Sequence, residues 1–515
     1  MTARFLLAFL FVGLLACEKA EQKPQKPNIV LILADDLGYG EVGFNGQKLI
    51  KTPNMDALAV SGKIFTNHYT AAPVCAPARG MILTGLHSGH AYIRGNDEWR
   101  ERGEVWDYAK AAADPNLEGQ RPLPAETLTI AKVLQQNGYK TGIIGKWGLG
   151  APLSEGIPNN LGFDYFFGYN CQRQAHNLYP PHLWENETKV PLNNEIVVPG
   201  TKLDEGADPM DLASYSRYQQ KDYAPQVMHE KALAFLEENS DQPFFLYYAS
   251  PLPHLPLQAP QNLVEEYVEV FGEEEPYDGS KGYFPTRYPR ATYAAMITLL
   301  DQQIGELRQK VEEMGQLENT IFILTSDNGP TYTGGVDFDF FESSQPFSNG
   351  YGRTKGFVYE GGIRVPMVVN WPGKVQEGSR SEHISAFYDL FPTLCDLIGV
   401  DAPAGLDGMS FLPSILGEEQ KPNDYLYWEF PEYGGQQAVR MGNWKVVRQK
   451  LKEGIVRTEL YDLSNDPLEE KDLAETYPEI VAQLEEIMAK EHRESSIDRF
   501  KLEVLGDQLS ANSGN

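Results

Sequence analysis

Apolar residues fall in short, dense runs along the chain, and the runs are closed off by proline, glycine and carboxylates. Residues 28–34 (NIVLILA) form a continuous apolar run rich in β-branched side chains, with Pro27 before it and Asp35-Asp36-Leu37-Gly38 after it. That pattern predicts a strand buried on both faces. The same signature recurs over 141–147, 243–249 (PFFLYYA), 320–326 (TIFILTS) and 365–371, with a short strand over 63–67. Between these runs the spacing predicts helices over 53–62, 126–137, 223–239, 290–314 and 387–398. The first has proline in its first turn and glycine at its end. Strands alternating with helices predict an α/β fold with a mostly parallel central sheet flanked by helices.

After about residue 415 the pattern changes. Short strands are predicted over 425–430, 437–441 and 444–448, Leu460-Tyr461-Asp462-Leu463 precedes Asp466-Pro467, and a charged helix covers 478–492. These predict a smaller antiparallel C-terminal subdomain (415–505) behind a main domain (27–414), with 506–515 as a disordered tail. The chain has 515 residues, room for roughly two to four domains.

Residues 1–17 read as a targeting segment. Arg4 supplies the positive start, and the apolar run 5–16 is too short to span a bilayer comfortably. It ends Leu14-Leu15-Ala16-Cys17, which resembles a bacterial lipobox, so Cys17 is expected to carry lipid; the alternative is a plain secretory signal cleaved nearby. Residues 18–26 are polar and read as a tether. The chain is therefore expected in the cell envelope as a lipoprotein, on the outer membrane, cell surface or periplasmic face, held by lipid alone. Net charge is −28, from 44 basic and 72 acidic residues. That argues against nucleic acid, which needs a basic stripe, and it means that an anionic substrate must be met by a local basic pocket. Of four cysteines, Cys171 and Cys395 either pair or stand as separate buried thiols.

The candidate chemistry lies at predicted strand ends, where parallel sheets collect ligands. Asp35, Asp36, Asp327 and Asn328 offer only oxygen ligands, a set suited to a hard divalent cation and not to zinc. Calcium suits a crowded protein cage better than magnesium, which tends to keep its waters. Either pair alone reads equally as a cap or a turn. Two pairs at matching strand ends, around Cys75-Ala76-Pro77-Ala78-Arg79, point to a site.

The order Asp-Asp, Cys-x-Pro-x-Arg, Lys, His, Asp-Asn, Lys, within residues 27 to about 474, resembles the type I sulfatases, whose fold is alkaline-phosphatase-like. The resemblance implies that a maturation enzyme converts Cys75 to formylglycine (3-oxoalanine), which joins the metal site. A thiol is a poor attacker of sulfate, because its adduct must be released by a second attack at sulfur. A hydrated aldehyde offers one hydroxyl for attack and another whose deprotonation expels sulfate by C–O cleavage. The resemblance also implies roles for the companions. Arg79, one helical turn on, holds the hydrate and the metal-site carboxylates. Lys146, in Gly145-Lys146-Trp147, binds a sulfate oxygen. His254, in Pro251-Leu252-Pro253-His254-Leu255-Pro256, protonates or hydrogen-bonds the departing alcohol oxygen. Lys355, in Gly352-Arg353-Thr354-Lys355, bridges the sulfate and that oxygen.

One position departs from the pattern. Many members read Gly-Lys-Trp-His-Leu-Gly where this chain has Gly148, so the histidine assigned to the formylglycine hydroxyl is missing. His176 either supplies that role, contacts the sugar, or is a loop histidine with neither function. Gly148 and the run 168–176 look like those of polysaccharide sulfatases. The expected substrate is a sulfated glycan, with a 4-O-sulfated galactose-type residue as the target. The rivals are a formylglycine-dependent phosphonate or phosphodiester hydrolase and an inactive glycan-binding lipoprotein. Segments 96–120, 172–187 and 331–350 read as loops. Their aromatics, including Trp99, Trp184, Phe338 and Phe341, either stack on sugars or pack the loops down.

Overall fold

The computed structural model describes residues 26–510. The expected signal with Cys17, and the tether up to residue 25, lie outside the described residues, as do residues 511–515. Strand β1 (Asn28–Ala34) matches its predicted bounds, β2 (Lys63–Phe65) falls within the predicted run 63–67, and a two-residue β3 (His68–Tyr69) follows just after it. Next come β4 (Lys140–Lys146), β5 (Tyr165–Tyr169), β6 (His182–Glu185), β7 (Thr188–Pro191), β8 (Phe244–Ala249), β9 (Thr320–Ser326), β10 (Met367–Asn370), β11 (Ser379–Ser381) and β12 (Ser385–Ala386).

Ten of these form one sheet, in the order β11-β2-β10-β9-β1-β8-β4-β5-β6-β7. Its centre, β9-β1-β8-β4-β5, is parallel. Strand β10 runs antiparallel to β9, and β6 and β7 close the far edge as an antiparallel pair. The continuous apolar runs have a direct cause. Alternate residues of β1 feed two different cores: Ile29, Leu31 and Leu33 pack on one face, Val30, Ile32 and Ala34 on the other. The first face is covered by helices Cys75–Thr84, Ile130–Gln136 and Leu390–Leu397. The second is covered by Pro53–Val60, Ala224–Glu238, Gln261–Phe271 and Pro289–Glu313.

The helix predicted from 126 begins only at Ile130, because Thr129 caps it: the Thr129 side chain accepts from the Lys132 N–H. Helix Gln261–Phe271, unforeseen, buries Leu263, Val264 and Tyr267 along one stripe. The segments expected to be loops hold some regular structure, including helix Tyr108–Ala113 and strand β6.

Strands β13 (Leu426–Phe430), β14 (Gln436–Met441), β15 (Trp444–Gln449) and β16 (Arg457–Asp462) form the antiparallel C-terminal sheet. Helix Pro478–Glu491 packs on one face through Leu484 and Met488, while Leu426, Trp428 and Phe430 join the main core. The subdomain therefore shares the hydrophobic core of the main domain. Glu491 ties its helix to both parts of the chain: Oε2 accepts from His87 Nε2 of the main domain (3.1 Å) and Oε1 from the Tyr425 hydroxyl of the subdomain (2.6 Å). The Gly89 N–H donates to His87 Nδ1 (3.1 Å), so the proton sits on Nε2 and His87 acts as a donor here, not as a ready metal ligand. Asp507, inside the segment read as a tail, is buried and accepts from the Leu502 N–H (2.7 Å). Cys171 and Cys395 are separate buried free thiols. No helix among the described residues is long and apolar enough to cross a membrane.

Candidate active site

Strand register brings the two acidic pairs together. Strands β1 and β9 are parallel neighbours with Ala34 opposite Ser326, so Asp35-Asp36 and Asp327-Asn328 leave the sheet side by side. The turn is cross-braced. The Asp327 N–H donates to Ala34 O (3.0 Å), the Asp36 N–H to Asp327 Oδ1 (3.1 Å) and the Asp35 N–H to Leu252 O (3.0 Å). Asp36 sits at φ +66°, a left-handed conformation that, after glycine, asparagine and aspartate tolerate best. Lys146 is the last residue of β4, and His254 follows β8 in a turn where Leu252–Pro253 and Leu255–Pro256 are both cis. Four adjacent central strands thus deliver most of the site.

Cys75 opens the fully buried helix Cys75–Thr84. Its Sγ lies 3.3 Å from Asp35 Oδ1 and 3.6 Å from Lys355 Nζ. One ligand-capable atom from each of Asp35, Asp36, Cys75 and His254 falls within 4.8 Å of the others. Arg79, one turn along, forks between Asp327 Oδ2 (Nε 3.1 Å, Nη2 2.8 Å) and the Lys146 carbonyl (Nη1 2.8 Å). Lys146 Nζ donates to Asp35 Oδ2 (2.6 Å), and Lys355 Nζ to Asp36 Oδ2 (2.7 Å). The structure gathers Asp35, Asp36, Cys75, Arg79, Lys146, His254, Asp327, Asn328 and Lys355 into one cluster.

Burial sets the electrostatics. It pushes the Cys75 thiol up, and the neighbouring Asp35 carboxylate adds to the rise, so the thiol stays protonated and a poor nucleophile. Burial would also raise Asp35, but Lys146, with Arg79 and Lys355 behind it, holds that carboxyl well below the usual carboxylate range. Asp327 is pushed up to about 7, by burial and then by Asp35. His254 is held well below its ordinary value by burial and by Lys355 and Lys146. It is therefore neutral, with its Nδ1 hydrogen-bonded to Leu255 O (2.6 Å) and Nε2 facing Asp36 Oδ2 at 3.8 Å.

The structure places His176 beside this cluster. Its ring stacks on His254, centroids 5.4 Å apart and planes at 13°, and no protein hydrogen bond reaches either of its nitrogens among the described residues. Tyr283 meets both rings edge-on, at 5.3 and 6.1 Å. Sequence reasoning missed Tyr283, which lies in an irregular loop at φ +63° where no periodicity marks it. It also missed Gln172. A Cβ on Gly148 would lie 2.7 Å from Gln172 Cγ, so the Gln172 side chain fills the space that a side chain at position 148 would enter. Gln172 Nε2 donates to Asn96 Oδ1 (3.0 Å), which also takes the Ala76 N–H (3.1 Å) beside Cys75. An amide cannot take up a proton as histidine does, so Gln172 replaces volume and not chemistry. The aromatics offered as sugar contacts mostly pack inward. Trp184 and Phe341 are buried, and Trp184 Nε1 donates to Glu118 (2.9 Å).

A family model described as Sulfatase matches residues 27–400, and one described as N-sulphoglucosamine sulphohydrolase, C-terminal, matches 351–494. Arylsulfatase A of Homo sapiens is 32% identical, covering 94% of this chain and 90% of that protein. N-acetylgalactosamine-6-O-sulfatase of Bacteroides thetaiotaomicron is 28% identical, covering 91% and 93%. Among solved structures, the crystal structure of Ps i-CgsB superposes with a TM-score of 0.69 at 26% identity, covering 92% of this chain and 94% of that one. It is also solved in complex with k-i-k-neocarrahexaose.

Proposed function

The chain belongs to the sulfatase family, and from that premise we propose that it removes sulfate from a sulfated carbohydrate, using an aldehyde formed at Cys75 and a divalent cation. The observation that carries this reading is the convergence of Asp35, Asp36, Cys75 and His254 within 4.8 Å, with two lysines on the same carboxylates. The carbohydrate part is supported by the relative named for N-acetylgalactosamine-6-O-sulfate and the structural neighbour solved with an oligosaccharide. A 4-O-sulfated galactose-type residue remains the proposed target.

The residues fit a cation. Asn328 Nδ2 donates to Asp36 Oδ1 (2.7 Å), while its Oδ1 is buried with no hydrogen-bond partner, the condition of a ligand oxygen. Asp35, Asp36 and Asp327 are also buried, and oxygen donors of this kind suit calcium ahead of magnesium. These four residues would hold the ion, with the modified Cys75 beside them. When bound, the ion favours the ionised form of a neighbouring oxygen and draws charge from a sulfate oxygen. The aldehyde, once hydrated, supplies one hydroxyl for attack on sulfur and a second whose proton loss lets sulfate depart by C–O cleavage.

The chain's own side chains do the rest. Cys75 Sγ marks where the hydrate oxygens would project, between Asp35 and Lys355. Arg79 fixes Asp327 and the end of β4, so that Lys146 is aimed. Lys146 and Lys355 present ammonium groups to the sulfate oxygens and to the leaving oxygen, where negative charge grows. They also give the anionic ester a basic pocket within an acidic protein. His254 meets the leaving oxygen through Nε2. The charge of a bound sulfate ester favours a proton there, which passes to the alcohol as its O–S bond breaks. His176, stacked on His254 with free nitrogens, takes the proton of the departing hydrate or contacts the sugar. The proposed lipid at Cys17 would place the enzyme in the cell envelope.

Mass analysis of the Cys75 peptide, with sulfate release from a panel of sulfated oligosaccharides, tests the reading. The expected result is an aldehyde at position 75 and calcium-dependent release. Protein produced together with a maturation enzyme that keeps a thiol at position 75 and frees no sulfate from any glycan would refute it.

A further inference from the structure

Near Lys355 the surface carries exposed aromatic rings. Tyr351 is 75% exposed and Tyr433 48%. They are joined in a row by edge-on contacts: Tyr351 to Phe357 at 5.3 Å and Phe357 to Tyr433 at 5.6 Å, with Tyr332 against Tyr351 at 5.3 Å. Three segments contribute. Tyr332 follows Asn328, Tyr351 precedes Lys355, and Tyr433 comes from the turn between β13 and β14.

The position of Tyr433 is built into the backbone. Gly356 directly follows Lys355, at φ +87°, and a Cβ there would come 2.9 Å from Tyr433 Cε1. Only a residue without a side chain lets the ring lie this close to the catalytic segment. Gly356 is itself pinned: its N–H donates to Pro73 O (2.8 Å), and its carbonyl accepts from Gln436 Nε2 (2.8 Å). Tyr433 sits at φ +50°, a conformation costly for a bulky residue, although Gly434 and Gly435 follow immediately. An exposed ring is thus held in a strained backbone against the residue next to Lys355.

We propose that Tyr433 and Tyr351 form a stacking platform for a pyranose ring of the glycan, the one adjoining the sugar that carries the sulfate. The proposal rests on the carbohydrate reading above. Lys355 is assigned to the leaving oxygen, so a platform beginning at Gly356 lies on the leaving-group side. Aromatic faces bind the apolar faces of sugars without reading their hydroxyl pattern. The platform therefore selects for chain length more than for the identity of the neighbouring sugar.

The test compares sulfate release from a defined sulfated oligosaccharide and from the matching monosaccharide sulfate, for the wild type, Tyr351→Ala, Tyr433→Ala and Tyr433→Phe. The expected result is that each alanine variant raises KM for the oligosaccharide about tenfold and lowers the oligosaccharide-to-monosaccharide ratio of kcat/KM. Tyr433→Phe, which keeps the ring, holds that ratio near the wild-type value. Equal losses on both substrates in Tyr351→Ala and Tyr433→Ala, or an unchanged ratio, would overturn the platform. A wild type that releases sulfate from neither substrate would instead overturn the carbohydrate reading, and the platform with it.

Discussion

Replacing Gly148 by alanine separates two costs hidden at the end of β4. Gly148 has φ +80°, where an L side chain costs roughly 1–2 kcal/mol. The new Cβ would also lie 2.7 Å from Gln172 Cγ and 3.1 Å from Cδ. Gln172 is only 5% exposed, so it cannot simply swing into solvent. Moving it gives up the bond to Asn96 Oδ1, worth about 0.5–1.5 kcal/mol. Gly148→Ala should therefore destabilise the fold by roughly 1.5–3.5 kcal/mol. In Gly148→Ala/Gln172→Ala the clash is gone and the backbone strain remains. The double variant should be more stable than the sum of the single effects by about 1 kcal/mol. Urea unfolding of the four proteins measures this cycle. A neutral Gly148→Ala, or strict additivity, would refute the account of how the space at position 148 is filled.

Other outcomes follow from the same geometry. Arg79→Met leaves a buried Asp327 without its partner and should cost about 3–5 kcal/mol in stability, read by chemical unfolding, together with loss of turnover. Chelation of divalent ions should abolish sulfate release and lower the unfolding temperature, with calcium restoring both better than magnesium; full activity after exhaustive chelation would exclude the cation. His254→Ala should slow release from a sugar alcohol by about 10²–10⁴-fold and from an aryl ester with a good leaving group far less, because the acid matters most where the alcohol leaves badly. Glu98 is pushed up to about 8 by burial. Between its ordinary value and that pH the folded carboxyl keeps a proton that the unfolded chain has lost, so stability falls as pH rises through this window. Glu98→Gln should flatten the fall in unfolding free energy measured across it.

The sequence by itself determined the strands at the heart of the sheet. In a parallel sheet covered on both faces, the central positions of β1 and β9 are apolar on both sides, with polar residues only toward the strand ends, and such a run is legible without any partner. It also marked the residues proposed to carry the chemistry, because Asp35-Asp36, Lys146 and Asp327-Asn328 stand at the ends of apolar runs and His254 shortly after one. What it could not hold is proximity. Register sets Ala34 beside Ser326, packing lays His176 on His254, and Gln172 enters the space left by Gly148. The inward turn of Trp184 and Phe341, and the outward set of Tyr351 and Tyr433, likewise belong to the tertiary structure. An aromatic side chain has the same local pattern whether it faces a core or a ligand, and only the elements packed around it decide which.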